Sequence, residues 1–275
     1  MSRAPGLVDA HGGGAALTVP RRRWPSAAIW ATTAVVLVVH VLAWQATEFS
    51  PAALIAGWEG MADFLAESLP PDLSVLGKSL EAAVITLYIG LLGTTFSIPF
   101  ALVLALCASR ATTSAAWAQQ AARAVLSFLR SVPDVVFALI FVTAVGLGPF
   151  AGVLALVFHN TGVMGKLWAE AMDESDRGPR DALRVTGASG PQIALHAVLP
   201  TVMPSLAGLL LYRLDVNVRS SLVLGLVGAG GIGFLINQSI KLFRFDEMVT
   251  HILVVLLLVV VVDQASAFVR KRLGA

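Results

Sequence analysis

The feature that most constrains this sequence is a series of apolar runs, each about as long as a lipid bilayer is thick, separated by short polar stretches. They fall at 26–44, 81–108, 124–147, 149–171, 199–227 and 248–269. A helix needs about 20 apolar residues to cross the hydrocarbon core. Inside that core every backbone N–H and C=O must be bonded within the protein, so only helices or closed barrels can cross. Long runs without strict alternation select helices. The expected fold class is all-α integral membrane, with six transmembrane helices. Charged residues make up only 13% of the chain, about half the share of a soluble domain. The single cysteine, Cys107, excludes an intrachain disulfide and a cysteine-based metal site. A net charge of +2, with no interleaved aromatic and basic run, gives no reason to expect a nucleic acid partner. No catalytic or metal-ligating residues are assigned.

Three regions follow along the chain. Residues 1–23 are rich in Gly and Ala, lack an apolar period, and are predicted to be a disordered tail. Residues 24–80 hold the first transmembrane helix and an external amphipathic helix. In the latter, Ser50-Pro51 reads as cap and first position. Leu54, Trp58, Met61, Leu65 and Leu69 recur at helical spacing until Pro70-Pro71. The helix at 51–69 is read as a packing brace at the membrane surface, with a docking surface for an outside partner as the alternative. Residues 81–275 form the main transmembrane domain, interrupted by a polar loop at 172–200.

Charge gives the orientation. With the N-terminus inside, the interior receives Arg21 to Arg23, Arg110, Arg123, Arg177, Arg180, Arg184 and Arg270 to Arg272. The first outside loop receives Glu48, Glu59, Asp63, Glu67 and Asp72 against Lys78. This arrangement obeys the positive-inside rule, with Lys241 and Arg244 as exceptions. A multi-pass protein with both termini in the cytoplasm is expected.

The 172–200 loop carries helix punctuation. Pro179 suits a first helical position and Gly187 the residue after a helix end. Ser189-Gly190-Pro191 can restart a second short helix leading to Leu199-Pro200. The string Asp181-Ala182-Leu183, then Gly187, then Leu199-Pro200 resembles the cytoplasmic signature of ABC importer permeases, with Asp181 for Glu, Leu183 for the second Ala and Ala197 for Ile. Two longer strings, Tyr212 to Arg219 with Val223 to Gly233 and Arg130 to Asp134 with Phe137-Ala138, resemble the phosphonate-type branch of that family. The resemblance implies a methionine-permease-like fold and import of phosphonate, phosphate or phosphite across a bacterial cell membrane. It also implies a homodimer, two ATP-binding subunits seated at the cytoplasmic loop, and an extracytoplasmic substrate-binding protein. No Gly-x-x-x-x-Gly-Lys-Ser/Thr loop is present. ATP and Mg are therefore expected on the partner ATPase, with no cofactor on this chain.

Charge inside a span costs about 2.5–3.5 kcal/mol per group on insertion scales, which marks such residues as functional candidates. At helical spacing Arg213 and Asn217 share one face of the fifth span, and Asp215 and Arg219 form an i,i+4 pair on another. The candidate path residues are Arg213, Asn217, Arg219, Asp215, Arg130 and His159. Arg213 lacks an acid one turn away, which favours it over Arg219 for the path; interhelical packing is the other reading. Arg130 and Asp134 are read as a self-compensated i,i+4 pair, and Lys166 as a residue that snorkels to an interface. Gly228, Gly230, Gly231 and Gly233 read as a hinge followed by a short polar segment. They also match a dinucleotide fingerprint, which has meaning only between a strand and a helix. An ABC permease for another solute, such as an amino acid, or a secondary transporter are the rival functions. The first leaves the buried arginines unexplained, and no inverted repeat supports the second.

Overall fold

The structure is a computed structural model that describes residues 26–273. The tail and Arg21 to Arg23 lie outside the described residues. The chain divides into two units at Glu59/Gly60. The first holds α1 (Ala27–Ala46), α2 (Pro51–Ala56) and the start of α3 (Trp58–Glu67). α1 is the apolar run expected as the first span. The external helix is not one rod. It breaks at Gly57, whose N–H closes α2 on the Ala53 carbonyl.

The second unit holds the remaining helices: α4 (Leu76–Ala108), α5 (Ala116–Ser131), α6 (Asp134–Val145), α7 (Pro149–Glu174), α8 (Gly178–Val185), α9 (Gly190–Ile193), α10 (Leu199–Leu226), α11 (Gly231–Lys241) and α12 (Phe245–Leu273). No strand occurs among the described residues. Among the described residues of both units, five helical stretches are long and apolar enough to cross a membrane, α1 among them, or six if α5 and α6 count together. α4 begins five residues before the expected Glu81 and runs through the boundary expected at 80/81.

The third span is a correction. The run at 124–147 is not one helix, because α5 and α6 meet at an 85° bend. Pro133 has no N–H and its ring disfavours a helical residue before it. Val132 is accordingly extended, with ψ 121°. α5 also reaches back to Ala116, into what reads as a polar loop at 109–123. Its amphipathic spacing, with Ala122 and Leu126 buried, makes it a helix that covers the core on one face.

α4, α7 and α10 form the centre, and small residues bring them close. A Cβ on Gly93 would sit 2.5 Å from Leu156 Cβ, well inside van der Waals contact. Close approach of this kind is how helices gain dispersion contacts in lipid. Gly93→Ala is expected to destabilise the protein by about 1–3 kcal/mol through overpacking. A lowered thermal midpoint in detergent checks it.

One end of the unit carries the 172–200 loop. There Asp173 gathers the turn after α4: Ser109 Oγ and the Arg110 N–H each donate to its Oδ1 at 2.7 Å. Arg123 Nη2 reaches its Oδ2 at 3.1 Å and Arg123 Nε donates to the Ala108 carbonyl at 2.9 Å. At the opposite end, Thr250 Oγ1 donates to the Asp72 carbonyl at 2.8 Å, and Phe64 stacks edge-on against Phe245 at 4.9 Å. The Asp72 carboxylate receives the Ser74 N–H and hydroxyl, which holds its pKa below the usual carboxylate value.

Candidate functional site

The loop folds as the punctuation requires. Pro179 sits in the first turn of α8. The Gly187 N–H donates to the Arg184 carbonyl at 3.0 Å and the Ala188 N–H to the Leu183 carbonyl at 3.2 Å. Gly187 has φ +79°. These two bonds and the left-handed glycine form a Schellman cap, which satisfies carbonyls that a helix end leaves free. Asp181 pairs with Arg184 across the exposed face at 3.2 Å, while Ala182 is exposed and Leu183 half-buried against the core. Ser189 starts α9, with the Gln192 Oε1 accepting its N–H at 2.8 Å.

The chain then passes through a π-turn, Ala194–Val198, straight into α10. Leu199 and Pro200 open α10. The Pro200 ring cannot sit over the His196 carbonyl in a regular α-turn, and the wider turn accommodates it. A rigid helical segment thus runs from the exposed loop into the middle of the bundle.

The middle of α10 holds the two arginines. Arg213 is 8% exposed. Its Nε donates to Asn160 Oδ1 of α7 at 2.8 Å and its Nη2 to Asn217 Oδ1 at 3.2 Å. Asn217 Nδ2 donates to Thr94 Oγ1 of α4 at 2.7 Å, and Asn160 Nδ2 to Ser97 Oγ at 2.6 Å. Every member of this network is buried. Arg213 therefore has two neutral partners, one on α7 and one on its own helix, and through Asn217 and Thr94 the network ties α4, α7 and α10 together. Asn160, Thr94 and Ser97 are missed by sequence reasoning, because each is a neutral polar residue with no charge to mark it in a largely apolar span. Their only sequence signal is being hydrogen-bonding groups at span depth.

Arg219 lies differently. Its side chain is 51% exposed and bridges to Asp215, which is buried. The Asp215 Oδ1 is buried with no partner among the described residues. Arg219 shares an exposed stripe of α10 with Tyr212 and Val223. The pairing of Asp215 with Arg219 is as expected, while the open guanidinium belongs to Arg219 and not to Arg213.

One other expectation is corrected, and two more candidate residues are placed. Arg130 and Asp134 do not pair, because the 85° bend between them destroys i,i+4 geometry. His159 points its Nδ1 at the Val132 carbonyl, 3.1 Å away, and so braces the bend. Lys166 is bound to Glu170, one turn further along α7, at 2.9 Å.

The glycine run forms a tight turn. Gly228, Gly230 and Gly231 have φ of +100°, +78° and +71°. The Gly148 N–H donates to the Gly228 carbonyl at 2.9 Å, and the Ile232 N–H to Thr86 Oγ1 at 2.9 Å. Gly233 has ordinary φ; its role is contact, since a Cβ there would lie 2.0 Å from the Leu222 carbonyl oxygen. The segment expected to be short and polar is helical. It is α11, with Ile232, Gly233 and Ser239 buried, folded back along α10.

The fold is a polytopic helical bundle in which a short exposed helical loop leads into a charged central helix. Residues 97–275 match the family described as binding-protein-dependent transport system inner membrane component, and the chain belongs to that family. It is 39% identical to the phosphite transport system permease protein PtxC of Stutzerimonas stutzeri, covering 86% of this chain and 86% of that protein. It is 39% identical to the phosphate-import permease protein PhnE of Mycolicibacterium smegmatis, covering 85% of this chain and 44% of that protein. These relatives belong to the branch that the strings at 212–233 led one to expect. Among solved structures, the MetNI methionine ABC transporter in inward-facing conformations aligns with a TM-score of 0.59 at 22% identity, covering 73% of this chain and 97% of that chain. A bacterial ABC transporter that imports alginate aligns with a TM-score of 0.60 at 14% identity, covering 89% of this chain and 99% of that chain. These likenesses bear out the methionine-permease-like fold.

Proposed function

We propose that this chain is the permease subunit of an ATP-driven importer that carries a phosphorus oxyanion, a phosphonate, phosphate or phosphite, into the cell. Two copies form a homodimer. Two ATP-binding subunits seat on α8, and a binding protein delivers substrate from outside. The loop end, with Arg110, Arg123, Arg177, Arg180 and Arg184, faces the cytoplasm. Two copies place two exposed α10 stripes around one path, each offering Arg219.

The observation that carries the substrate class is Arg219, an exposed guanidinium at span depth, oriented by buried Asp215. A planar guanidinium fork suits two oxygens of an oxyanion. The phosphite and phosphate permeases among the relatives support the same class. Motion passes from the ATPase through α8 and the unbroken run of α9, π-turn and α10 to that stripe. The Arg213 network keeps α10 locked to α4 and α7, so the three move as one body.

The test is selectivity in vesicles holding the permease, its ATPase and its binding protein. Labelled phosphite uptake is expected to be reduced by phosphate or methylphosphonate and untouched by methionine. Uptake of methionine, or none of any phosphorus oxyanion, overturns the assignment.

A further inference from the structure

At the loop end of the bundle, a cavity of about 470 Å³ lies between the turn after α4, the last turn of α7 and the flank of α8. Its charged lining is Arg110, Arg177, Arg180 and Arg184 with Asp173 and Asp181.

The two acids are already engaged. Asp173 Oδ1 accepts from Ser109 Oγ and from the N–H groups of Arg110 and Ala111, while its Oδ2 takes Arg123. Asp181 holds Arg184 at 3.2 Å. The side chains of Arg110, Arg177 and Arg180 have no carboxylate within 4.0 Å among the described residues.

Arg180 is the most telling of the three, because it is only 8% exposed. A guanidinium has five N–H donors. One of those of Arg180, on Nη2, reaches an acceptor, the Ser175 carbonyl at 3.3 Å. Its Nε is buried with no partner among the described residues. A charge withdrawn from water is costly unless it is paired and hydrogen-bonded. The wall of this cavity therefore holds a buried cation that lacks its anion, with two further uncompensated guanidinium groups beside it.

The number of donors selects the ligand. A carboxylate brings one charge and two oxygens. A phosphate group brings a charge of about −1.5 to −2 at neutral pH and three acceptor oxygens. Planar guanidinium forks match that geometry. On the import reading, an oxyanion of this chemistry is released on the same face.

We propose that this cavity binds a phosphate group, free as the imported oxyanion or carried by a lipid headgroup, through Arg110, Arg177 and Arg180. The choice of ligand rests on the import reading, although the site shares no residue with the α10 stripe. A bound phosphate joins the turn after α4 to the start of α8, and so fixes the segment proposed to seat the ATPase.

The test uses the purified full-length chain carrying Arg219→Met, which removes the other proposed oxyanion contact. Equilibrium dialysis with labelled inorganic phosphate, in detergent at low salt, reads binding, and thermal melting verifies the fold. Saturable binding is expected, displaced by unlabelled phosphite and not by equal acetate. Arg180→Gln and Arg110→Gln, each added to that background, are expected to weaken binding roughly tenfold, as loss of a hydrogen bond to a charged ligand does. Arg110 is exposed, so its variant keeps the test decisive should Arg180→Gln not fold. Absence of saturable binding, unchanged binding in either folded variant, or equal displacement by acetate overturns the site. Release of the bound phosphate on adding the ATPase subunit makes the cavity a seat for an ATPase side chain and overturns it too. Nanodiscs then assign the source. Phosphate binding lost when phosphatidylglycerol joins phosphatidylcholine identifies the headgroup; unaltered binding identifies the soluble anion. Vesicle uptake separates this site from the import reading: uptake without cavity binding removes the site alone, and cavity binding without uptake removes the import reading alone.

Discussion

Gly187→Pro is expected to abolish transport while the protein still inserts and assembles. The native residue has φ +79°, and proline is fixed near −65°. Proline also removes the N–H that bonds the Arg184 carbonyl. Both bonds of the cap at the end of α8 are lost together, and the chain can no longer turn into Ser189 and α9. The fault lies outside the membrane core, since Gly187 is exposed and a Cβ there meets nothing within 4 Å. Folding of the bundle is therefore spared. The expected readout is basal ATPase activity with no stimulation by loaded binding protein, and uptake at background. Gly187→Ala keeps the N–H and carries only the left-handed penalty of about 1–2 kcal/mol, so partial coupling is expected. Full coupling in the proline variant would show that α8 is not the element that transmits motion.

The second large effect separates the two arginines. Arg213→Met removes the donor shared by Asn160 and Asn217, leaving two buried carbonyl oxygens unpaired. Each such orphan costs about 1–3 kcal/mol, so a large drop in thermal midpoint is expected, with uptake lost because the bundle loosens. Arg219→Met touches a half-exposed side chain. Its loss leaves the buried Asp215 without a counter-charge, but the guanidinium removed is itself half solvated, so the bridge contributes less than a fully buried one. A small change in midpoint is expected, together with a fall in phosphite uptake of about tenfold or more, the scale of one lost charge-assisted hydrogen bond. Thermal unfolding and vesicle uptake on the same preparations measure both. Similar melting shifts for the two variants would contradict the division of roles.

The sequence carries much of this architecture and hides specific parts of it. Apolar length reveals the spans, because the bilayer sets that length physically. Pro179, Gly187 and Ser189 reveal α8 and its restart, because capping is local chemistry within a few residues. The arginines reveal themselves by their cost in lipid. Apolar count does not report angle, so the bend at Val132-Pro133 is invisible to it, and the supposed pair of Arg130 and Asp134 assumes a helix that does not continue. The environment of Arg213 depends on Thr94 and Asn160, far away in the chain, and no local pattern encodes them. Pairing arguments weigh only acids, whereas Arg213 is satisfied by amides. α11 is masked by the glycines before it, although Ile232, Leu235, Ile236 and Ser239 already have the spacing of one helical face.

The most direct test of coupled import is accumulation of phosphite against its gradient in vesicles containing this chain, its ATPase and its binding protein. Accumulation is expected only with ATP on the face that carries α8, and not with Gly187→Pro in place. Accumulation that persists without ATP, or that proceeds undiminished in the proline variant, would contradict it.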